Sequence, residues 1–303
     1  MERDDSTYFA NKIHSSLNSK SKDEIIIEVI TNTDLNKRIE ISNIYLQKFG
    51  RDLYSELKSK LNGTFKELAT HLFLPPEEFM AKMLKKSLKG FQIDESLIYE
   101  IFTICSQEEL KLVELAFKKE TGKDLIKEIE KNFPSAIRKN LLNLLNNQRN
   151  SNESPNKVQC ENWAQNLIDT GENSWVANEE VFKKIFITRS SEELILIGRY
   201  YFKKTGENIM NVIEKRLTNK IRNLLRELIY NVVIPEELFA DKINFALKNN
   251  NMSLLNRILV ERCQIDLDEI KEIYKVKYKN ELKDDIKSKT FGTHQKLCLV
   301  LVS

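Results

Sequence analysis

The residue types that could do chemistry are few and scattered in this chain. Three histidines, His14, His71 and His294, lie far apart and match no metal-ligand spacing, so each is expected to be a surface or half-buried helix residue. Four cysteines, Cys105, Cys160, Cys263 and Cys298, include no CxxC pair and read as reduced thiols of an intracellular protein. Cys105 and Cys263 are expected at equivalent helix junctions as structural residues. No glycine-rich phosphate loop, HExxH motif or Ser, His, Asp order is present. Acidic pairs such as Glu108-Glu109, Glu192-Glu193 and Asp284-Asp285 fall at helix starts or on exposed faces, where dipole and solvation account for them. Neither enzyme chemistry nor a cofactor is expected.

The elements around these residues are helical. The chain has 303 residues, is 41% hydrophobic and 31% charged, and contains only 8 Gly and 5 Pro, too little turn chemistry for a β-rich fold. The fold class is therefore all-α. A net charge of +3 gives no global signal for nucleic acid, so the local placement of Lys and Arg matters more. The opening MERDDSTYFANK has no apolar run and does not read as a signal peptide. Apolar runs such as Leu297 to Val302 fall far short of the ~20 residues of a membrane-spanning helix. Any membrane contact is thus expected to be peripheral and cytoplasmic.

Internal repetition organises the whole chain. Arg38 to Gly63 holds two amphipathic helical patterns meeting at Phe49-Gly50, with Ile41, Ile44, Tyr45 and Phe49 on one apolar face and Leu53, Leu57 and Leu61 on the other. Ile41 recurs as Val113, Ile197 and Ile270; Tyr45 as Phe117, Tyr201 and Tyr274; Gly50 as Gly122, Gly206 and Lys279. Leu53 recurs as Leu125, Ile209 and Leu282, and Leu57 as Ile129, Ile213 and Ile286. Successive offsets of 72, 84 and 73 residues hold at all five positions, which defines a fourfold repeat. The expected organisation is a short tail at 1–6, repeats at 7–75 and 76–147, a polar linker at 148–157 dividing the chain into two halves, then repeats at 158–232 and 233–303. Each repeat parses into about five short helices.

Four repeats of this size with an extended linker after the second resemble the annexin family, over nearly the whole chain. The third repeat carries the most specific match: Ala164-Gln165, Gly171-Glu172, Trp175, Glu179-Glu180 and Ile187-Thr188-Arg189-Ser190. Phe49-Gly50-Arg51-Asp52-Leu53 is also close to the family's wording. The resemblance implies a curved disc whose convex face meets anionic phospholipid through Ca²⁺. Among divergent members the chain resembles the alpha-giardins of flagellated protists, which implies a cytoskeletal association as well as a membrane one.

The resemblance also implies where calcium should bind: a Gly-x-Gly-Thr loop between the first two helices, closed by a carboxylate about 39 residues later. Glycines let backbone carbonyls turn toward the ion, and the distant carboxylate completes the oxygen shell. The loops here are Asn18-Ser19-Lys20-Ser21, Gly90-Phe91-Gln92-Ile93, Ser174-Trp175-Val176-Ala177 and a shortened Lys248-Asn249-Asn250-Asn251. The closing positions hold Lys60, Asn132, Arg216 and Lys289. One glycine of the pattern remains and no carboxylate does, so the family's main site is expected to be lost from every repeat. Weak residual Ca²⁺ binding is expected at most at Gly90 with Asp94 and Glu95, or in the loop Gly171 to Glu180.

Basic residues gather around these positions: Lys20, Lys22, Lys85, Lys86, Lys89 and Lys248 near the first loops, and Lys58, Lys60, Lys131, Lys215, Arg216, Lys220, Lys287 and Lys289 near the second. An ammonium where Ca²⁺ would bridge to phosphate places positive charge in nearly the same spot, and each basic residue near an anionic leaflet is worth ~1 kcal/mol. Calcium-independent lipid binding is therefore expected through Lys20, Lys60, Lys89, Arg216 and Lys289, with the Trp175 ring seated among the headgroups. A cytoskeletal scaffold using the same basic residues on acidic microtubules is the alternative, and an ordinary solvated lysine surface the simpler one. The short tail leaves little for recruiting a protein partner.

Overall fold

The computed structural model describes residues 2–89, 93–149, 154–175, 178–217 and 219–303. The first repeat consists of α1 (Glu2–Ser16), α2 (Lys22–Thr31), α3 (Leu35–Phe49), α4 (Leu53–Lys60) and α5 (Gly63–His71). The second holds α6 (Pro76–Ser87), α7 (Glu95–Ile104), α8 (Gln107–Thr121), α9 (Leu125–Asn132) and α10 (Ser135–Asn146). The third comprises α11 (Lys157–Thr170), α12 (Glu179–Val181), α13 (Ser191–Thr205), α14 (Ile209–Arg216) and α15 (Asn219–Val233). The fourth is built from α16 (Pro235–Lys248), α17 (Met252–Arg262), α18 (Leu267–Tyr278), α19 (Leu282–Lys289) and α20 (Gly292–Leu301). No strand occurs among the described residues.

One boundary differs from the sequence expectation. The helix α1 takes in residues 2–6, which were expected to form a separate tail. The second helix of the third repeat is irregular: α12 runs into a π-helical turn, Phe182–Ile187, where the Thr188 amide reaches back to the Lys183 carbonyl at 3.1 Å. Elsewhere local signals set the ends. Asp34 and Asp52 cap α3 and α4 by accepting from the Lys37 and Ser55 amides. Ser106 with Glu109 and Ser190 with Glu193 form capping boxes at the starts of α8 and α13. The third helix of each repeat ends on a left-handed residue: Gly50, Gly122 and Gly206 at φ of +66°, +71° and +75°, and Lys279 at +61°.

The repeated apolar positions are the core. Ile41, Tyr45, Leu53 and Leu57 are each 0% exposed, and their counterparts are buried too, with only Ile209 half-buried. Burying such side chains contributes roughly 1.5–3 kcal/mol each before the entropy of ordering them is subtracted.

The compact units are not the two halves of the sequence. Unit 1 joins Met1–Pro76 to Glu236–Ser303, that is, the first repeat to the fourth. Unit 2 is Glu77–Pro235, the second and third repeats with the expected linker inside it. A polar run in sequence therefore does not separate packing units here. Its last described residue before position 150, Arg149, is pinned by a guanidinium bond to the Arg189 carbonyl at 2.6 Å, and burial pushes that guanidinium down to about 10.

Unit 1 holds a buried polar net that corrects the reading of His294 as a surface or half-buried residue. The imidazole is 5% exposed, and its Nε2 lies 2.6 Å from Asn256 Oδ1. Asn256 Nδ2 donates to the Thr64 carbonyl at 3.1 Å, and Ser253 Oγ donates to Glu67 at 2.7 Å. Cys298 Sγ lies 3.5 Å from the same imidazole nitrogen, but burial pushes its thiol up to about 12. With all three members buried, this Cys, His and Asn set ties the fourth repeat to the first and is chemically inert.

Candidate functional site

In the first repeat the calcium-pattern loop and its closing residue do come together. Lys60, the last residue of α4, donates from Nζ to Asn18 Oδ1 at 2.8 Å. The loop itself is tied down by Ser19, whose amide and hydroxyl both donate to the Ser16 carbonyl at 2.8 Å. The side-chain cation thus spans loop and helix where the resemblance places a metal ion. Its single oxygen partner is a neutral amide. Lys20 and Lys58 are exposed on either side, Lys58 lying over the Tyr54 ring at 5.7 Å.

The third repeat makes the same bridge with different consequences. Arg216, at the end of α14, meets Glu172 at 3.3 Å and Glu207 at 2.5 Å. Glu172 follows Gly171, whose φ of +72° turns the chain out of α11. The guanidinium therefore faces two carboxylates, Glu207 among them not singled out by the sequence reading. Arg216, expected among the lipid-contacting cations, is thus paired with two carboxylates while its side chain stays exposed.

Trp175, expected among the headgroups, is buried instead. Its ring is 0% exposed, its Nε1 donates to the Leu167 carbonyl at 2.9 Å, and it packs edge-on to Tyr201 at 5.8 Å and against Phe186 at 6.1 Å. A satisfied indole N–H among aromatic neighbours is a core residue. Ser174 closes a single 3₁₀ turn, Glu172–Ser174, and residues 176–177 of the loop lie outside the described residues.

Second-repeat candidates for metal binding are mostly committed elsewhere. Gly90 lies outside the described residues. Asp94 caps α7 by accepting from the Leu97 amide at 3.1 Å, and Glu95 accepts from the Tyr99 hydroxyl at 3.2 Å. Asn132 donates to its own helix, to the Glu128 carbonyl at 2.7 Å. Lys85 joins Lys82 on Glu120, each at 2.6 Å, whereas Lys89 is exposed. Among the described residues no group of three or more His, Cys, Asp or Glu side chains is disposed to hold a metal ion.

In the fourth repeat the shortened loop turns on Asn250 at φ +52°, a conformation Asn tolerates, and Asn251 caps α17 by accepting from the Leu254 amide at 3.1 Å. Lys248 lies over the Tyr278 ring at 5.7 Å. Lys289 is exposed at the end of α19 and makes no ion pair among the described residues. The four closing positions thus hold a cation on a neutral amide, an uncharged amide, a cation on two carboxylates and an exposed cation. No described helix is long and apolar enough to cross a membrane.

Known proteins share both the sequence pattern and the fold. The family model described as Annexin matches residues 8–72, 79–144, 163–228 and 239–301, one segment in each repeat. Annexin A13 of Mus musculus is 29% identical over 296 residues, spanning 97% of this chain and 93% of that protein. The solved structure of annexin III superposes with a TM-score of 0.90 at 29% identity, covering 98% of this chain and 93% of that one. The calcium-bound structure of alpha-14 giardin shares the fold alone, with a TM-score of 0.79 at 16% identity over 98% of this chain and 99% of that one. With a match in every repeat and together over most of its length, the chain belongs to the annexin family, whose members are calcium-dependent phospholipid-binding proteins.

Proposed function

We propose that this protein is a non-enzymatic peripheral membrane protein that engages anionic phospholipid without requiring calcium. The observation that carries this reading is the Lys60 ammonium, 2.8 Å from Asn18 Oδ1, filling the place between loop and helix that the family resemblance assigns to the ion. A fixed cation there needs no Ca²⁺ to present positive charge to a phosphate. Lys20, Lys89 and Lys289, all exposed, supply further charge at the corresponding loops and helix ends. At ~1 kcal/mol for each basic residue near the surface, such a set acting together holds a protein to an anionic leaflet. Residual calcium binding loses support, because Glu172, Asp94 and Glu95 already have partners.

Sedimentation with phosphatidylserine vesicles in EGTA tests the proposal. Binding at low salt that weakens steeply as salt screens the charges is the expected result. No binding in EGTA, with binding restored by calcium, contradicts it. Pelleting with microtubules but not with vesicles favours the cytoskeletal reading of the same cations.

A further inference from the structure

We propose that Phe291 is an apolar anchor that enters the lipid interface from unit 1, an inference that rests on the membrane reading above. At 78% exposure Phe291 exceeds every other exposed large apolar side chain of the described residues. It occupies the N-cap of α20 without any side-chain capping bond. The repeat register places Asn62, Pro134 and Thr218 at the equivalent positions. Neither Asn62 nor Pro134 makes a side-chain capping bond there, so the helix end asks nothing of this position, and what sets Phe291 apart is a large ring that serves neither the core nor the helix end. A large aromatic ring left in solvent without structural return marks a functional position.

Its turn is rigid and its surroundings are basic. Thr290, 2% exposed, donates to the Ile286 carbonyl at 2.7 Å, and Gln295 Nε2 donates to the Lys287 carbonyl at 2.7 Å and to that of Thr290 at 2.5 Å. Gly292, at φ +61°, then starts α20. The ring is thus displayed by a held backbone, which lowers the ordering cost of insertion. Lys287 and Lys289 precede it in sequence. Thr293 donates to Asp23 Oδ2 at 3.2 Å, which joins this turn to the start of α2 just after Lys20 and Lys22. Two carboxylates of α2 are engaged by α20: Asp23 by Thr293, and Glu24 by Lys296 at 3.9 Å. An aromatic ring flanked by lysines fits an anionic bilayer, where charge draws the surface in and the ring settles at headgroup depth.

Binding of Phe291→Asn and Phe291→Ala to phosphatidylserine vesicles in EGTA, at low and high salt, tests this. Phe291→Asn places at this exposed turn the residue that Asn62 supplies in the first repeat, so it is expected to fold with Tm unchanged within about 1 °C. Its vesicle affinity is expected to fall roughly tenfold at both salts, as does that of Phe291→Ala, since the loss is apolar rather than ionic. Affinity equal to the parent at both salts overturns the anchor, as does a loss confined to microtubule pelleting. Failure of the parent protein itself to bind vesicles is a separate outcome, which removes the membrane reading and the anchor with it.

Discussion

Lys60 in unit 1 and Arg216 in unit 2 hold the same place in the repeat, yet they present opposite electrostatics. Lys60 rests on one neutral amide at 2.8 Å, whereas Arg216 is outnumbered by Glu172 and Glu207. Exposed ion pairs of this kind add only ~0–1 kcal/mol to stability, so the pairing matters less for the fold than for the field. Arg216 is thus offset by carboxylates, whereas Lys60 is not. Two aromatic residues contrast in the same sense: Trp175 of unit 2 is completely buried, and Phe291 of unit 1 is 78% exposed. A basic residue in a sequence pattern therefore says little about available charge until its partners are known.

The largest effect that sharpens this contrast is at Trp175. Replacing it with Ala should destabilise unit 2 by about 3–5 kcal/mol, measured by urea unfolding, because a packed ring and a satisfied N–H are lost together. Trp175→Phe, milder for the core, should leave vesicle binding unchanged. Weakened binding by that variant would mean that the ring reaches lipid and would break the contrast.

Much of this architecture is legible in the sequence, because it rests on short-range rules. The apolar positions recurring at 72, 84 and 73 residues fix the core and the four repeats, and Gly50, Gly122 and Gly206 announce the helix ends. What stays hidden is long-range. Glu172 lies 44 residues from Arg216, and no local signal pairs them. Composition also misleads at the polar run after the second repeat, since the first repeat packs with the fourth. Phe291 is itself legible as an aromatic residue where the other repeats hold Asn62, Pro134 and Thr218, but its exposure is not.

Acid should separate the units next. All three histidines fall in unit 1, and burial holds His294 below its ordinary value of 6.5, with Glu67 opposing more weakly. Well above pH 6.5 the imidazole is neutral in folded and unfolded chains alike, so it adds no pH dependence there. As pH falls below that value the unfolded chain takes up the proton first. Stability should then drop by at most about 1.4 kcal/mol per pH unit until the folded group titrates. His294→Gln should flatten this part of the profile in urea titrations from pH 7 downward; an unchanged profile would place the acid sensitivity elsewhere.

A smaller effect is expected at Lys279, the only one of the four equivalent helix-ending residues that is not glycine, held at φ +61°. Lys279→Gly should relieve backbone strain and stabilise unit 1 by about 1 kcal/mol. Gly206→Lys should cost unit 2 a similar amount by the same mechanism. Calorimetry that finds no gain from the first exchange would show that the fourth repeat compensates for the strain.

Vesicle binding in EGTA by two variants tests the contrast between the units most directly. Lys20→Ala, Lys60→Ala and Lys289→Ala combined should weaken affinity for phosphatidylserine vesicles by about 3 kcal/mol, roughly 150-fold, and flatten the salt dependence. Arg216→Ala should change affinity by less than about twofold, since its charge is already spent on Glu172 and Glu207. An Arg216→Ala loss as large as that of the triple variant would contradict the assignment of the lipid-binding charge to the unpaired lysines rather than to Arg216.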